Sequence, residues 1–590
     1  MATTDNEILD LRKDEAIHQP CTVVHLRIWP AVIIVIAQLI AVALFTRFGR
    51  TNIHNGIALG GVPLVAAIMM LIWWLTASRV PWRSRIVGFI LFFAAIAAVL
   101  FSQRSVSMGG MLLAVALPWL LYSTVATLLV TIPFLWCIRK WLLAIVLILC
   151  AGVFCAQRVD EIGGDLYPVV SWRWQMTSAQ RSENIGTPTT QQTAELPDAI
   201  TSEDWCDFLG QGRKNTVTNL TFSTDWTTPP KEVWRQPIGP GWSSFIGVGD
   251  YLFTQEQRGD AELVTCYRAD TGASVWQQGE TVLFDDAMGL GPRATPVFYE
   301  GHLYTQGATG LLQCMDAATG DILWKRQLTE DGDTGIPAFA FASSPLVVDE
   351  LVVAFTAGSE GKSVIAYHRE TGEIAWSTGP KDDGYASPQL STVVDTPQIL
   401  IASNFGIQGI AAENGAVLWK HAWDIERNPR CVQPVVWNGG YVLFGGTGTS
   451  GSRLLRVTKT DSSWNVEEAW SQKKFGPYFN NGILYKDHYY GYDDVRLGCL
   501  VMETGERAWT GERFGGQLLF VKDMEMLLVL SERGDLALVR AVPDRFEEVA
   551  RFKALNGKTW NHPIIHHGKL YVRNSEEAAC FELPGLAVLP

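Results

Sequence analysis

Seven short strings, each ahead of an apolar run, gather side chains suited to holding a ligand. They are Trp242-Ser243-Ser244, Arg293-Ala294-Thr295-Pro296, Ala342-Ser343-Ser344-Pro345, Tyr385-Ala386-Ser387-Pro388, Arg430-Cys431-Val432-Gln433-Pro434, Tyr478-Phe479-Asn480-Asn481 and Trp560-Asn561-His562-Pro563. The small or polar residue followed by proline has a structural explanation: proline is tolerated at the first residue of a strand, and Ser or Thr bonds local backbone where a chain turns. The residues one to three places earlier vary, giving Trp242, Arg293, Tyr385, Arg430, Tyr478 and Trp560, with Asn480 and His562 close by. Aromatic faces and guanidinium groups converging on one site suit a flat or anionic ligand, through stacking and charge-assisted hydrogen bonds. These eight residues form the candidate ligand-binding set, and no residue is assigned a catalytic role.

Other clusters read as structure. Gln255-Glu256-Gln257-Arg258-Gly259-Asp260 and Asp285-Asp286 could offer oxygens to a hard cation, but the Ca²⁺-loop pattern with its central Gly and terminal Glu is missing, so a charged hairpin and a solvated loop are expected. His566-His567 precedes a Gly-Lys turn and reads as an exposed hairpin, and no histidine spacing suggests a metal. The ten cysteines include no Cys-x-x-Cys pair and no adjacent pair, which excludes a c-type haem motif and leaves the redox compartment open.

The elements that must position these residues are repeats. Thr271-Gly272 is followed by Trp276, Thr319-Gly320 by Trp324 and Thr371-Gly372 by Trp376; related copies are Asn414-Gly415 with Trp419 and Thr504-Gly505 with Trp509. Trp234, Trp470 and Phe552 extend the series to eight anchors, spaced 39 to 52 residues apart, each interval room for a four-stranded blade. The fold expected is an all-β, eight-bladed β-propeller, with seven blades as the alternative. After Phe552 the chain holds two strands, near Lys569 to Val572 and Ala578 to Leu583, but no closing one, and Lys231 to Pro237 can supply it. Pairing the first strand with the last blade removes the ring's open edge.

Ahead of the repeats the composition changes. Residues 1–160 carry twelve Lys/Arg against six Asp/Glu, the remainder thirty-five against fifty-four. An acidic second part is poorly suited to phosphates, so nucleic acid is excluded as a partner. The first part holds apolar runs at Trp29 to Phe45, Ile57 to Ala77, Ile86 to Phe101, Met108 to Ile138 and Trp141 to Cys155, read as an α-helical bundle of five transmembrane helices. Four is the alternative, if the last run does not cross. With the N-terminus inside and five crossings, Arg12, Lys13, Arg27, Arg79, Arg83, Arg85, Arg139 and Lys140 lie inside, against Arg47, Arg50, Arg104 and Arg158 outside. That asymmetry predicts a multi-pass protein of the cytoplasmic membrane with its propeller on the periplasmic side. The domains expected are a cytoplasmic tail 1–27, a membrane domain 28–157, a flexible linker 158–203 rich in Thr, Gln, Ser and Pro, and a propeller 204–590.

Asp316-Ala317-Ala318-Thr319-Gly320-Asp321-Ile322-Leu323-Trp324 resembles the Asp-x-x-Thr-Gly-x-x-x-Trp signature of the PQQ-like (pyrroloquinoline quinone repeat) propeller family, and the resemblance covers roughly 205–590. It implies the quinoprotein alcohol dehydrogenase-like fold, with the repeat tryptophans docking neighbouring blades. The layout of spans followed by a propeller is similar to membrane-bound quinoprotein dehydrogenases, which implies PQQ with Ca²⁺ and electron transfer to membrane quinone. Gly239-Pro240-Gly241-Trp242-Ser243-Ser244 and Gly291-Pro292-Arg293-Ala294-Thr295-Pro296 resemble membrane-anchored bacterial members without assigned activity. Against the enzymes stand short connections that leave little room for a substrate cap; the adjacent cysteine pair of the alcohol enzymes is missing, but the sugar enzymes lack it too, so that absence alone decides nothing. The Glu, Asn and Asp of their cation site are not matched residue by residue; Asn480, Asp285 and Asp286 are candidates by residue type alone. The function expected is an extracytoplasmic module that binds a protein partner or small ligand in its funnel; the alternative is a PQQ-dependent dehydrogenase.

Overall fold

A computed structural model describes residues 24–49, 52–164, 166–186, 191–425, 430–447, 450–461 and 463–589. They divide into two compact units, one reaching Ile162 and including Leu166–Gln175, the other Met176–Pro590 with Gly163–Asp165. Most of the expected cytoplasmic tail, 1–23, and part of the Thr/Pro tract, 187–190, lie outside the described residues.

Among the described residues of the first unit, five helices are long and apolar enough to cross a membrane: Trp29–Arg47, His54–Ala77, Trp82–Phe101, Val106–Val130 and Trp136–Cys155. Between 17 and 33 % of each span is buried, and Ile33, Ile36, Leu39 and Ile40 stand half exposed, so most of the apolar surface faces away from protein, as lipid contact requires. The last two helices are not divided at Arg139-Lys140. The break falls at 131–135, where Pro133 cannot continue the helix, and the fifth helix regains its full 20 residues from Trp136. Arg139 is buried because it turns back on the fourth helix, donating from Nη2 to the Leu128 carbonyl at 2.9 Å and from Nε to Thr131 Oγ1 at 3.3 Å. A cation is favourable there because a helix C-terminus presents unsatisfied carbonyls.

The second unit holds eight antiparallel blades of four strands each. Their innermost strands are Ile246–Val248, Val297–Tyr299, Leu346–Val348, Gln389–Val393, Val435–Trp437, Ile483–Tyr485, Gln517–Val521 and Ile564–His566. Lys231–Pro237 closes the eighth blade against Glu577–Glu582, with Trp234 opposite Cys580, so the ring has no free edge at its seam. Outside the four-stranded pattern, Thr216–Val217 runs parallel to Gln517–Val521 on the axial side of the seventh blade and makes that sheet five-stranded. The apolar core is distributed among interfaces between neighbouring blades, as where Tyr490, Cys499 and Trp509 pack on Leu518, Leu527 and Val529.

The repeat signature is a docking device. The Trp276 indole donates to Ala317 O at 3.2 Å, Trp324 to Arg369 O at 2.8 Å, Trp376 to Ala412 O at 3.0 Å, and Trp470 and Trp509 to Met502 O and Val542 O at 2.8 Å, each in the following blade's outer turn. The turn glycine lies on the ring. Gly320 has φ +80°, and a Cβ there would stand 2.7 Å from Trp276. Trp419 departs from the rule, because the blade after it lacks a Thr-Gly turn; its indole bonds Gln398 Oε1 within its own blade at 2.5 Å.

The 158–203 stretch, expected as a flexible linker, holds regular elements. Gln157–Ile162 pairs with Pro168–Trp172, and Trp172 stacks on Trp174 at 4.9 Å. Ser178–Glu183 is a helix with a Thr177/Gln180 capping box. Further on, Gln192 N–H reaches Val275 O at 3.1 Å and Ala194 N–H reaches Ala318 O at 2.8 Å. Such main-chain bonding needs no apolar periodicity, so composition alone does not reveal it.

Candidate functional site

The residues before each innermost strand gather around the propeller axis, as the repeat implies. Their Ser and Thr side chains, however, bond across blades rather than locally. Ser244 N–H donates to Thr295 Oγ1 at 3.1 Å, Thr295 N–H to Ser344 Oγ at 2.9 Å, Ser344 N–H to Ser387 Oγ at 2.9 Å, and His562 N–H to Ser244 Oγ at 2.7 Å. Gln433 N–H to Asn481 Oδ1 at 3.0 Å continues the pattern. At five of the eight junctions a blade thus satisfies a buried donor of the one before it, which helps to fix the rim of the channel.

On this rim lies a cavity of about 180 Å³. Of the eight candidates, Trp242, Arg293, Tyr385, Tyr478, Trp560 and His562 line it; Arg430 and Asn480 do not. Arg430 is 1 % exposed and turns between the fourth and fifth blades, where it donates to the carbonyls of Gly445 at 2.8 Å, Gly406 at 3.2 Å, Trp423 at 3.1 Å and Ser403, and lies over the Trp423 ring at 5.0 Å. Asn480 Nδ2 donates to Gly516 O inside the sixth and seventh blades. Their successors Cys431 and Asn481 face the cavity instead. Consecutive side chains of extended chain point to opposite sides, so a one-residue error exchanges channel for blade interface.

Four wall residues lay outside the sequence motif: Phe208, Met288, Phe339 and Gln517. Gln517 sits in the seventh blade, whose pre-strand string is Gly515-Gly516 and lacks the proline. Phe208 comes from the entry segment, which crosses the axis. Arg213, 4 % exposed, pairs with both Asp207 oxygens at 2.9 and 3.0 Å, donates to Pro388 O at 2.5 Å and also bonds Pro345 O. Phe208 meets His562 edge-on at 5.4 Å. This plug separates the aromatic cavity from a wider one of about 1270 Å³ at the far ends of the innermost strands.

Seven aromatic rings wall the smaller cavity. Trp242 and Trp560 lie 5.0 Å apart, Phe479 is 4.7 Å from Trp560, and Phe339 is 5.6 Å from Tyr385. Lys558 Nζ lies 3.6 Å from the Trp560 ring and 4.7 Å from that of Trp242. Arg293 is held by Asp286 at 2.6 Å and Phe339 O at 2.8 Å. Burial pushes the Tyr478 hydroxyl and the Cys431 thiol up to about 12 and the His562 imidazole down to about 3. These groups are neutral near pH 7, and none is poised to exchange a proton there.

A quinone with Ca²⁺ would need converging oxygen ligands, yet among the described residues no Asp or Glu lines the cavity. Of the sequence candidates, Asn480 is turned away, and Asp286 Oδ1 is taken by Arg293 and by the backbone of Met288 and Gly289. Asp286 Oδ2 is buried without a hydrogen-bond partner, but a single carboxylate oxygen is no cation cage, so the lining of this cavity does not fit that cofactor with its cation. The Gln255 to Asp260 string does form a hairpin, Tyr251–Arg258 pairing with Ala261–Arg268, but not a solvated one. The side chains of Gln255 to Arg258 are buried, and Glu256 Oε1 accepts from Arg258, Thr265 and Tyr267 at 2.6 to 2.9 Å while Oε2 accepts from Gly239 N–H at 2.6 Å. His566 is also fully buried rather than exposed.

Residues 260–511 match the family model described as outer membrane protein assembly factor BamB. Similar solved structures include BamB from Moraxella catarrhalis, 15 % identical over 60 % of this chain and 99 % of that chain, with a TM-score of 0.41. The quinohemoprotein alcohol dehydrogenase from Comamonas testosteroni is 13 % identical over 67 % and 82 %, with a TM-score of 0.48. Quinohemoprotein alcohol dehydrogenase ADHIIG from Pseudomonas putida HK5 is 12 % identical over 67 % and 84 %, with a TM-score of 0.41. No curated protein matches the chain. Eight blades and the Thr-Gly-x-x-x-Trp turns make the second unit an eight-bladed β-propeller, and its repeats over 260–511 are similar to those of that family model.

Proposed function

We propose that this protein is a membrane-anchored binding module, held in the cytoplasmic membrane by five helices, whose propeller works on the periplasmic side and takes an apolar anchor of a partner protein into its aromatic cavity. The observation that carries this reading is the wall itself: seven aromatic rings, one ion-paired guanidinium and, among the described residues, no carboxylate. A desolvated aromatic pocket in a rigid rim is the setting in which one inserted side chain contributes most to a protein interface. A cavity of about 180 Å³ closed behind by Phe208 suits one such side chain better than a cofactor with its metal.

The test uses full-length protein in detergent. Titration with PQQ and Ca²⁺ in the presence of alcohols or aldoses is expected to leave tryptophan fluorescence unchanged and to reduce no dye. A photo-crosslinking residue at Tyr478 in cells is expected to give a discrete protein adduct that the same residue at exposed Leu323 does not. Saturable PQQ quenching with dye reduction would establish a dehydrogenase instead, and equal crosslinking from both positions would remove the cavity from the interface.

A further inference from the structure

Away from the aromatic cavity, Asp204, His566 and His567 bring three ligand-capable atoms within 4.8 Å of one another at the edge of the wider cavity. His566 ends the innermost strand of the eighth blade and is fully buried. Its Nε2 bonds the Gly249 carbonyl at 2.7 Å, so that nitrogen carries the proton and Nδ1 keeps its lone pair. Nδ1 has no hydrogen-bond partner and faces Asp204 Oδ1 at 3.9 Å. Two electron-rich atoms opposed across a buried gap are unfavourable unless a cation stands between them.

The surrounding bonds hold this arrangement rigidly. Asp204 Oδ2 accepts from Thr201 N–H at 2.6 Å and from its hydroxyl at 3.0 Å, while Oδ1 accepts from Gly249 N–H at 2.8 Å and lies 3.1 Å from His567 Nε2. A ring N–H given to a backbone carbonyl is the usual way a metal-binding histidine is oriented. Ligand atoms about 2.1 Å from a tetrahedral zinc stand about 3.4 Å apart, and the separations of 3.1 and 3.9 Å bracket that value. His567 Nδ1 also looks toward Glu203 Oε2 at 3.9 Å, on the exposed side.

We propose that Asp204, His566 and His567 bind a divalent transition metal of the zinc class, with the fourth position left to solvent or a small ligand. The ion ties the segment that leads into the axial plug to the first hairpin of the eighth blade, and it stands apart from the aromatic cavity. Sequence spacing could not reveal it, since Asp204 lies some 360 residues from the histidines.

Full-length protein in detergent, purified on a histidine-free tag and stripped with EDTA, is to be titrated with Co²⁺ and then Zn²⁺. One equivalent of Co²⁺ with visible d–d bands, displaced by Zn²⁺, is expected. His567→Ala, whose ring is half exposed and safe to remove, is expected to lower affinity by about a hundredfold, as is the isosteric Asp204→Asn. No stoichiometric binding by the unmodified protein, or binding unchanged in His567→Ala, overturns the site.

Discussion

Arg430 shows how finely a site is resolved at the scale of single residues. It stands one position before a channel-facing cysteine and is itself sealed between blades by backbone carbonyls. Residue type and rough position were legible, but not the phase of the extended chain. Glu262 carries a different consequence of burial. Its carboxylate accepts only the Ala308 N–H, at 3.1 Å from both oxygens, and burial pushes it up to about 7. An acid whose folded pKa exceeds its unfolded value near 4.3 binds more protons when folded, so its contribution to stability is complete below about pH 4 and is lost as pH rises through about 7. Glu262→Gln removes that penalty while keeping an acceptor for Ala308. The variant is expected to gain about 2 kcal/mol over the parent at pH 8 and little at pH 4, read from thermal midpoints at the two pH values.

At the scale of the element, the blade is the unit and the Thr-Gly turn its lock. Gly320 combines a left-handed φ with a ring 2.7 Å from where a Cβ would be, whereas Gly301 has nearly the same φ, +79°, and nothing within 4 Å. Gly301→Ala therefore carries backbone strain alone, about 1 kcal/mol, and Gly320→Ala adds displacement of a fully buried tryptophan, for about 2 to 4 kcal/mol in all. Thermal or denaturant unfolding of the pair separates the two terms; equal losses would show that the ring moves aside freely. These turns were readable in the sequence because the same constraint recurs in successive blades. The Ser/Thr ring was seen as a pattern but given the wrong reach, since a hydroxyl's partner in the next blade lies some fifty residues away.

For the whole molecule, five apolar helices precede an acidic propeller, and the charge asymmetry of the loops argues for export of the C-terminal unit. The last strand, Ala587–Val588, is exposed and pairs only at the periphery with Leu220–Thr221, so a fusion there leaves the blades intact. Alkaline phosphatase joined to the C-terminus is expected to be active in cells and green fluorescent protein to be dark. The reverse result would mean four crossings and a cytoplasmic propeller.

Periodicity and composition by themselves favoured eight blades over seven and five apolar helices over four, and pointed to the closing role of Lys231 to Pro237 and to the likeness of the repeat, because each is a local pattern or a sum of local patterns. Tertiary structure alone decided that Asp207 and Arg213 plug the axis, that Arg430 and Asn480 leave it, and that Asp204 meets two histidines. These facts depend on which distant residues share a space, and that is set by closing the ring and by the burial of polar groups that must find partners, not by spacing along the chain.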